Sequence, residues 1–304
     1  MNLLASLKRP EYVFRPAQVF RRTMCSLRPE APEYMTVKLP WGLPLRIQPN
    51  EAQGSLIRRL GVYDLHSCEI MSRLIDPGEL AVDAGANMGQ MTSLMAMRAG
   101  PRGQVISFEP HPVLFGELQY NIAAWKQDPQ AAPISAHQLA LSNREGAAQL
   151  VVPARAVRNQ MLAFLADDAP ENTQLEHYQV PVTTLPAIVP EGQPIGLMKI
   201  DVEGHELQVL SGAQPLMAAG NIRDILFEDH DTPPTPVTTF LEDNGYKIFR
   251  IGGRLSGPEL DSIDTPFTSG VHGPPNFLAT RDASRAKARM ARRGWTANQR
   301  NRRD

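Results

Sequence analysis

The apolar positions of the chain change period several times, and each change marks an element. Leu80–Asp83 is a short apolar run stopped by Gly85-Ala86-Asn87-Met88-Gly89, the pattern of a buried strand entering a tight turn. Met91, Leu94, Met95 and Met97 supply the apolar face of a helix over Gln90–Arg98. Gly100, Pro101 and Gly103 break the chain before Gln104–Phe108 resumes strand composition and closes on Glu109. Upstream, Met35–Ile47 alternates as a hairpin turning at Pro40-Trp41-Gly42. Leu56, Ile57, Leu60, Leu65, Ile70 and Leu74 give helical spacing across Glu51–Ile75, interrupted at Gly61 and ended by Pro77-Gly78. Downstream, Val113–Trp125 reads as a helix with Leu114, Phe115, Leu118, Ile122 and Trp125 inward. Ile134–Leu141 reads as a third strand before the turn at Ser142-Asn143.

The pattern loosens over residues 142–194, where prolines at 153, 170, 181, 186, 190 and 194 argue for strands and loops rather than a long helix. An insertion over the carboxyl ends of the strands suits a substrate cap, and Arg155, Arg158 and Asn159 are its first candidates for contact. Strand periodicity returns at Leu197–Ile200, turns at Asp201-Val202-Glu203-Gly204, and passes into a helix from Glu206. Asn221–His230 is a further strand closing on Glu228, Asp229 and His230. Val237–Asn244 is a helix with Gly245 as its cap. Tyr246–Ile251 and Asn276–Ala279 read as two final strands around a Gly/Ser/Pro loop, Gly252–Pro275. Residues 1–35 form an Arg- and Pro-rich arm, and 36–280 a single α/β domain. Residues 281–304 read as a mobile basic tail whose apolar face is too thin for a packed helix.

Composition narrows the picture in three ways. A net charge of −1 gives no global argument for nucleic acid or an acidic membrane, and nucleic acid is not expected as a partner. Two cysteines make neither a disulfide framework nor a metal-ligand spacing. The start lacks an apolar signal core and no run of about 18 apolar residues occurs, so no transmembrane segment and a cytoplasmic location are expected.

The candidate chemistry sits where strands end. A glycine turn after a strand lets backbone approach a ligand, and a carboxylate after the next strand accepts ribose hydroxyls. Glu109 lies 20 positions beyond Gly89, close to the offset of roughly 20 residues expected of such an acid. The turn is GxNxG, without the three glycines a pyrophosphate needs, and Asp83 beside it repels phosphate. An acid there suits a cationic ligand such as S-adenosylmethionine, with Gln138, Ala140 and Leu141 near its adenine. Asp201, Glu203 and His205 gather within five positions at the sheet edge, with Glu228, Asp229 and His230 ending the neighbouring strand. Tyr63, Asp64 and His66 sit in the helix break as surface residues, with the site entrance as the alternative.

The segments VDAGANMG, ISFEPHP, LALSN and above all LMKIDVEGHELQVLSGA resemble the FkbM family of S-adenosylmethionine-dependent methyltransferases. That resemblance implies a class I methyltransferase (Rossmann-like) fold: a seven-stranded, mostly parallel sheet with a reversed final strand and helices on both faces. It implies O-methylation of a hydroxyl on a sugar, polysaccharide, lipid or secondary metabolite. Carried over by motif, Asp83, Gly85, Asn87 and Gly89 hold the methionine part, Glu109 the ribose, and Asp201 with Glu203 the edge of the transfer site. A hydroxyl needs a base within reach. Asp201, His205, Glu228 and His230 are the candidates, and the two histidines are favoured because imidazole titrates near neutral pH. Mg²⁺ on Asp201, Glu228 and Asp229 is the less favoured alternative. Two rival functions stand beside this one: an NAD-type oxidoreductase, disfavoured by GxNxG and Asp83, and a non-catalytic glycan- or protein-binding module on the same scaffold.

Overall fold

A computed structural model describes residues 31–153, 164–166, 175–190, 192–264 and 276–298. The first hairpin pairs β1 (Met35–Lys38) with β2 (Pro44–Ile47) around the predicted turn. The interrupted helical spacing becomes two helices, α1 (Ala52–Leu60) and α2 (Leu65–Leu74), and Gly61 ends the first at φ 86°. Strand and helix then alternate: β3 (Leu80–Ala84), α3 (Gln90–Ala99), β4 (Gln104–Phe108), α4 (Pro112–Trp125) and β5 (Ile134–His137). Four short strands follow: β6 (Ala140–Leu141), β7 (Gly146–Pro153), β8 (Phe164–Ala166) and β9 (Leu175–Thr183). The chain returns to alternation with β10 (Ile195–Ile200), α5 (Glu206–Ala218), β11 (Ile222–Glu228) and α6 (Pro236–Asp243). It closes with β12 (Lys247–Arg254), β13 (Gly257–Ser262), β14 (Asn276–Thr280) and α7 (Ala283–Met290).

The main sheet has the order β13-β12-β14-β11-β10-β3-β4-β5. Strands β5, β4, β3, β10 and β11 run parallel, and β14 is reversed against both β11 and β12. The two central strands, β3 and β10, are buried at every position, as parallel strands covered on both faces must be. One core packs α2, α3, α4 and α7 on one face of the sheet, and the other packs α5 and α6 on the opposite face. This is the α/β sandwich with a reversed final strand that the sequence implied.

Three expectations need correction. The sheet carries an eighth strand, β13, inside the stretch read as loop, because Gly252 and Gly253 serve close packing rather than a turn. A Cβ on Gly253 would collide with the His66 ring. The third strand is broken at Gln138-Leu139: Ala140–Leu141 leaves the main sheet and pairs parallel with β9 in a second sheet of order β6-β9-β7-β8. The third concerns the segment after Thr280, which is packed through residue 298 rather than loose. Trp295 is 1% exposed and meets His66 edge-on at 5.2 Å. Polar anchors replace the missing apolar face. Glu69 accepts from the Thr296 and Ala297 amides and the Thr296 hydroxyl at 2.7–2.9 Å, while Arg73 donates to the carbonyls of Arg289, Met290, Arg292 and Gly294. Arg285 and Arg289 pair with Asp76, and Arg285 also reaches the buried Asp224.

Thr296→Val removes the hydroxyl bond to Glu69 alone. It is expected to lower unfolding stability by roughly 1.5 kcal/mol, the order for a bond to a charged group. Urea unfolding measures that loss, and tryptic cleavage within the Arg-rich segment should quicken. Unchanged stability and cleavage together would mean that Glu69 does not anchor the segment.

Candidate active site

The carboxyl ends of β3, β4 and β10 open into one cleft enclosing about 920 Å³, its mouth included. Sheet geometry places ligands there in open α/β folds. Its floor is the glycine turn. Gly85 sits at φ +81°, and a Cβ there would collide with the Asp201 carbonyl, so the turn and the end of β10 close on each other only without a side chain. Asn87 is also left-handed (φ 51°), a conformation asparagine tolerates better than most residues. Its N–H donates to Glu109 Oε2 at 2.7 Å, and the His111 N–H donates to Oε1 at 2.9 Å. Backbone donors thus fix the carboxylate from both sides while each oxygen retains capacity to accept another hydrogen bond. Burial raises the Glu109 carboxyl to about 7 against the pull of those two amides.

Beneath the floor lies a buried ion network that pattern reading did not foresee. Lys199 Nζ donates to the Gly85 carbonyl at 3.1 Å and pairs with Asp83 Oδ1 at 3.4 Å and Asp201 Oδ2 at 3.2 Å. Burial works to lower its pKa, but Asp201 and Asp83 outweigh burial and the net shift is upward. Asp83 is fully buried, accepts a 2.6 Å hydrogen bond from the Thr92 hydroxyl, and has its own pKa raised by burial against Lys199 and Thr92.

The mouth of the cleft is acidic. Glu206 accepts from the Val202 and Gly204 amides at 3.3 and 3.2 Å and so holds the loop after β10. Within that loop Glu203 adopts φ 51°, an unusual conformation for glutamate. Burial, then Asp201 and Glu206, push its carboxyl up to about 7. Glu228 at the end of β11 is pushed to about 8 by burial and by Asp201 and Glu203. Tyr63 lines the cleft nearby, its hydroxyl raised by burial and by the charges of Asp64, Asp201 and Glu228.

Of the predicted residues, Gly85, Asn87, Glu109, Ala140, Leu141, Asp201 and Glu203 line this cleft together; Asp83, Gly89, His205, Glu228 and His230 do not. Asp83 faces Lys199 under the turn, so its charge is neutralised within the protein rather than offered to a ligand. Gly89 is a packing glycine, since a Cβ would come within 2.6 Å of Leu118 and 2.7 Å of Trp125. His205 Nε2 lies 3.0 Å from the Ser142 hydroxyl, and His230, with its side chain 60% exposed, lies 3.6 Å from Glu228. Asp229, considered with Asp201 and Glu228 for a metal, has both oxygens engaged within the protein, accepting from the Thr235 hydroxyl and the Asp231 amide. Among the described residues no cluster of three metal-type ligands is gathered. Asp64 caps α2 and bonds Asn276, and His66 packs on Trp295, so of that trio only Tyr63 reaches the cleft. Arg155, Arg158 and Asn159 lie outside the described residues. Gln53, Gln90, Met91 and Lys199 also line the cleft. The one signal for Lys199 was a charge inside the apolar strand run Gly196–Ile200, which requires a buried partner.

Residues 83–248 match the methyltransferase FkbM domain. The 31-O-demethyl-FK506 methyltransferase FkbM of Streptomyces tacrolimicus is 27% identical over 267 residues, covering 77% of this chain and 98% of that protein. The methyltransferase sdnD of Sordaria araneosa is 28% identical over 196 residues, covering 56% of this chain and 74% of its own length. Among solved structures, a methyltransferase FkbM from Methylobacillus flagellatus matches with TM-score 0.41 and 14% identity, over 66% of this chain and 43% of that one. Among the described residues no helix is long and apolar enough to cross a membrane.

Proposed function

We propose a function for this chain, which belongs to the methyltransferase FkbM family: it transfers the methyl group of S-adenosylmethionine to a hydroxyl oxygen of a small molecule or glycan. The observation that carries this reading is Glu203, a carboxyl raised to about 7 and lining the cleft beside Asp201. A hydroxyl is a poor nucleophile until a base within reach takes its proton, and a group titrating near the working pH is best suited to that task. The name of the Streptomyces relative, a methyltransferase of an O-demethyl compound, favours oxygen as the accepting atom here too.

The residues fit the donor. Glu109, held by two backbone amides, would accept the ribose hydroxyls, and the Gly85–Asn87 backbone would lie against the ligand. Leu114, Leu139, Ala140, Leu141 and Leu150 form an apolar wall suited to adenine. When bound, S-adenosylmethionine supplies an electrophilic methyl group on a positively charged sulfur. Positioning does much of the remaining work in such a transfer. Glu203 takes the acceptor's proton, and burial with the neighbouring Asp201 holds its carboxyl near the pH at which it can do so. The sheet of β6, β7, β8 and β9 supplies part of the cleft wall through Leu141 and Leu150, which supports reading residues 142–194 as an acceptor cap.

S-adenosylhomocysteine titrated calorimetrically across pH tests the site. Glu109 must be ionised to accept both hydroxyls, so protonation below its value of about 7 should cost affinity. Binding is expected to be roughly tenfold weaker at about pH 6 than at about pH 8. Glu109→Gln should bind more weakly and lose that pH dependence. A wild-type protein that binds no S-adenosylhomocysteine would instead revive a non-catalytic module. Transfer of label from the methyl-labelled donor to hydroxyl acceptors, and not to their O-methylated forms, tests the chemistry.

A further inference from the structure

The cleft contains a polar group that the protein itself leaves unused. Gln53, in α1, is 8% exposed and lines the cleft, yet its Oε1 is buried with no hydrogen-bond partner. Buried side-chain amides are almost always satisfied in folded proteins, so this oxygen retains the capacity to accept a hydrogen bond. Gln53 also lies upstream of the residues that match the family, 83–248, so no motif assigns it a role.

The elements around Gln53 fix its place in the cleft wall. The hairpin before α1 is bolted to the start of α3. Asn121 bridges the Arg46 backbone and the Met88 carbonyl at 2.9 Å, and the Trp41 ring N–H donates to the Ser93 hydroxyl at 3.0 Å. Gly54 is pressed against the Gln48 backbone so closely that a Cβ would collide with it, which leaves α1 no slack. Gln53 thus shares the cleft wall with Asn87, Gln90 and Met91, and the last two open α3, a ten-residue helix whose first turn has no side-chain cap. Free amides at a helix start favour a carboxylate. Meanwhile Asp83, the acid expected to receive the donor's amino group, is committed to Lys199 and Thr92.

We propose that the Gln53 carboxamide binds the amino-acid end of the methyl donor, its oxygen accepting from the ammonium and its N–H₂ donating to the carboxylate. The inference rests on the donor reading above. Its test uses two probes that share adenosine and sulfur: S-adenosylhomocysteine, which has the amino-acid end, and 5′-methylthioadenosine, which lacks it. Gln53→Leu is expected to weaken S-adenosylhomocysteine by about tenfold, the scale of a lost charge-assisted hydrogen bond. 5′-Methylthioadenosine should bind within about twofold of wild type, which also reports an intact fold. Gln53→Leu binding both probes like wild type, or losing both equally, overturns the assignment while leaving the donor reading intact. Wild-type protein binding neither probe overturns the donor reading and this assignment with it.

Discussion

Glu203→Gln is expected to reduce methyl transfer by about 10²–10⁴-fold, the usual contribution of a positioned base. Affinity for S-adenosylhomocysteine should change by less than about threefold, because an interaction used only in the reaction lowers turnover rather than ground-state binding. The reasons are local. Glu206 grips the Val202 and Gly204 amides, which holds Glu203 in its left-handed conformation with its side chain on the cleft. Burial and the neighbouring Asp201 and Glu206 then bring its carboxyl to about 7. The sign of the pH dependence follows. A base is useful only when deprotonated, so the wild-type rate at saturating donor, where Glu109 protonation no longer limits binding, should fall as pH drops through about 7, and Glu203→Gln should flatten that limb. Removing one negative charge also eases ionisation of Glu228, whose raised value owes part of its shift to Glu203. A Glu203→Gln enzyme that transfers methyl at the wild-type rate would remove Glu203 from the mechanism and make Glu228 the residue to test next.

The parts of this site that were legible in the chain are those written in backbone requirements. Gly85 and Asn87 need a left-handed turn, and a turn after an apolar strand is visible as a pattern. Glu109 was legible because its distance from that turn follows from the length of one helix and one strand. Asp201 and Glu203 were legible because acids directly after an apolar run must project at the sheet edge. What escaped were partnerships between distant residues. Asp83 reads like a ligand-binding acid, and only the register of β3 against β10, with Asp83 beside Lys199, shows that its charge is answered inside the protein. Only the GxNxG turn therefore disfavours a phosphate-bearing ligand. Gly89 reads like part of the ligand turn, yet it is small because Leu118 and Trp125 of α4 pack on it. The histidines looked like bases by their chemistry, but one is spent on Ser142 and the other stands in solvent. The Arg-rich end looked unstructured because apolar periodicity cannot register anchoring by Glu69 and Arg73, more than two hundred positions away.

The largest effect on stability is expected from Lys199→Met. The substitution keeps an unbranched side chain one atom shorter and removes the only cation within bonding distance of Asp83 among the described contacts. It strands a fully buried carboxylate, held then by the Thr92 hydroxyl alone, and releases the Gly85 carbonyl. Breaking one side of a buried ion pair typically costs about 3–5 kcal/mol, because the remaining charge keeps its full desolvation penalty. For a domain of this size that corresponds to a fall in Tm of roughly 6–20 °C. Asp83 will relieve part of the penalty by taking up a proton, so the loss should shrink at acid pH, where protonating Asp83 costs less. Asp83→Asn combined with Lys199→Met removes both charges and should recover most of the lost Tm, as a double-mutant cycle would register. The same double variant separates folding from function. Its refolded cleft should still bind S-adenosylhomocysteine through Glu109, but Asp201 loses the ammonium that orients it, so transfer should remain impaired. Lys199→Met with an unchanged Tm, or a double variant no more stable than the single one, would show that the lysine does not neutralise Asp83 and that the acid is available to a ligand after all.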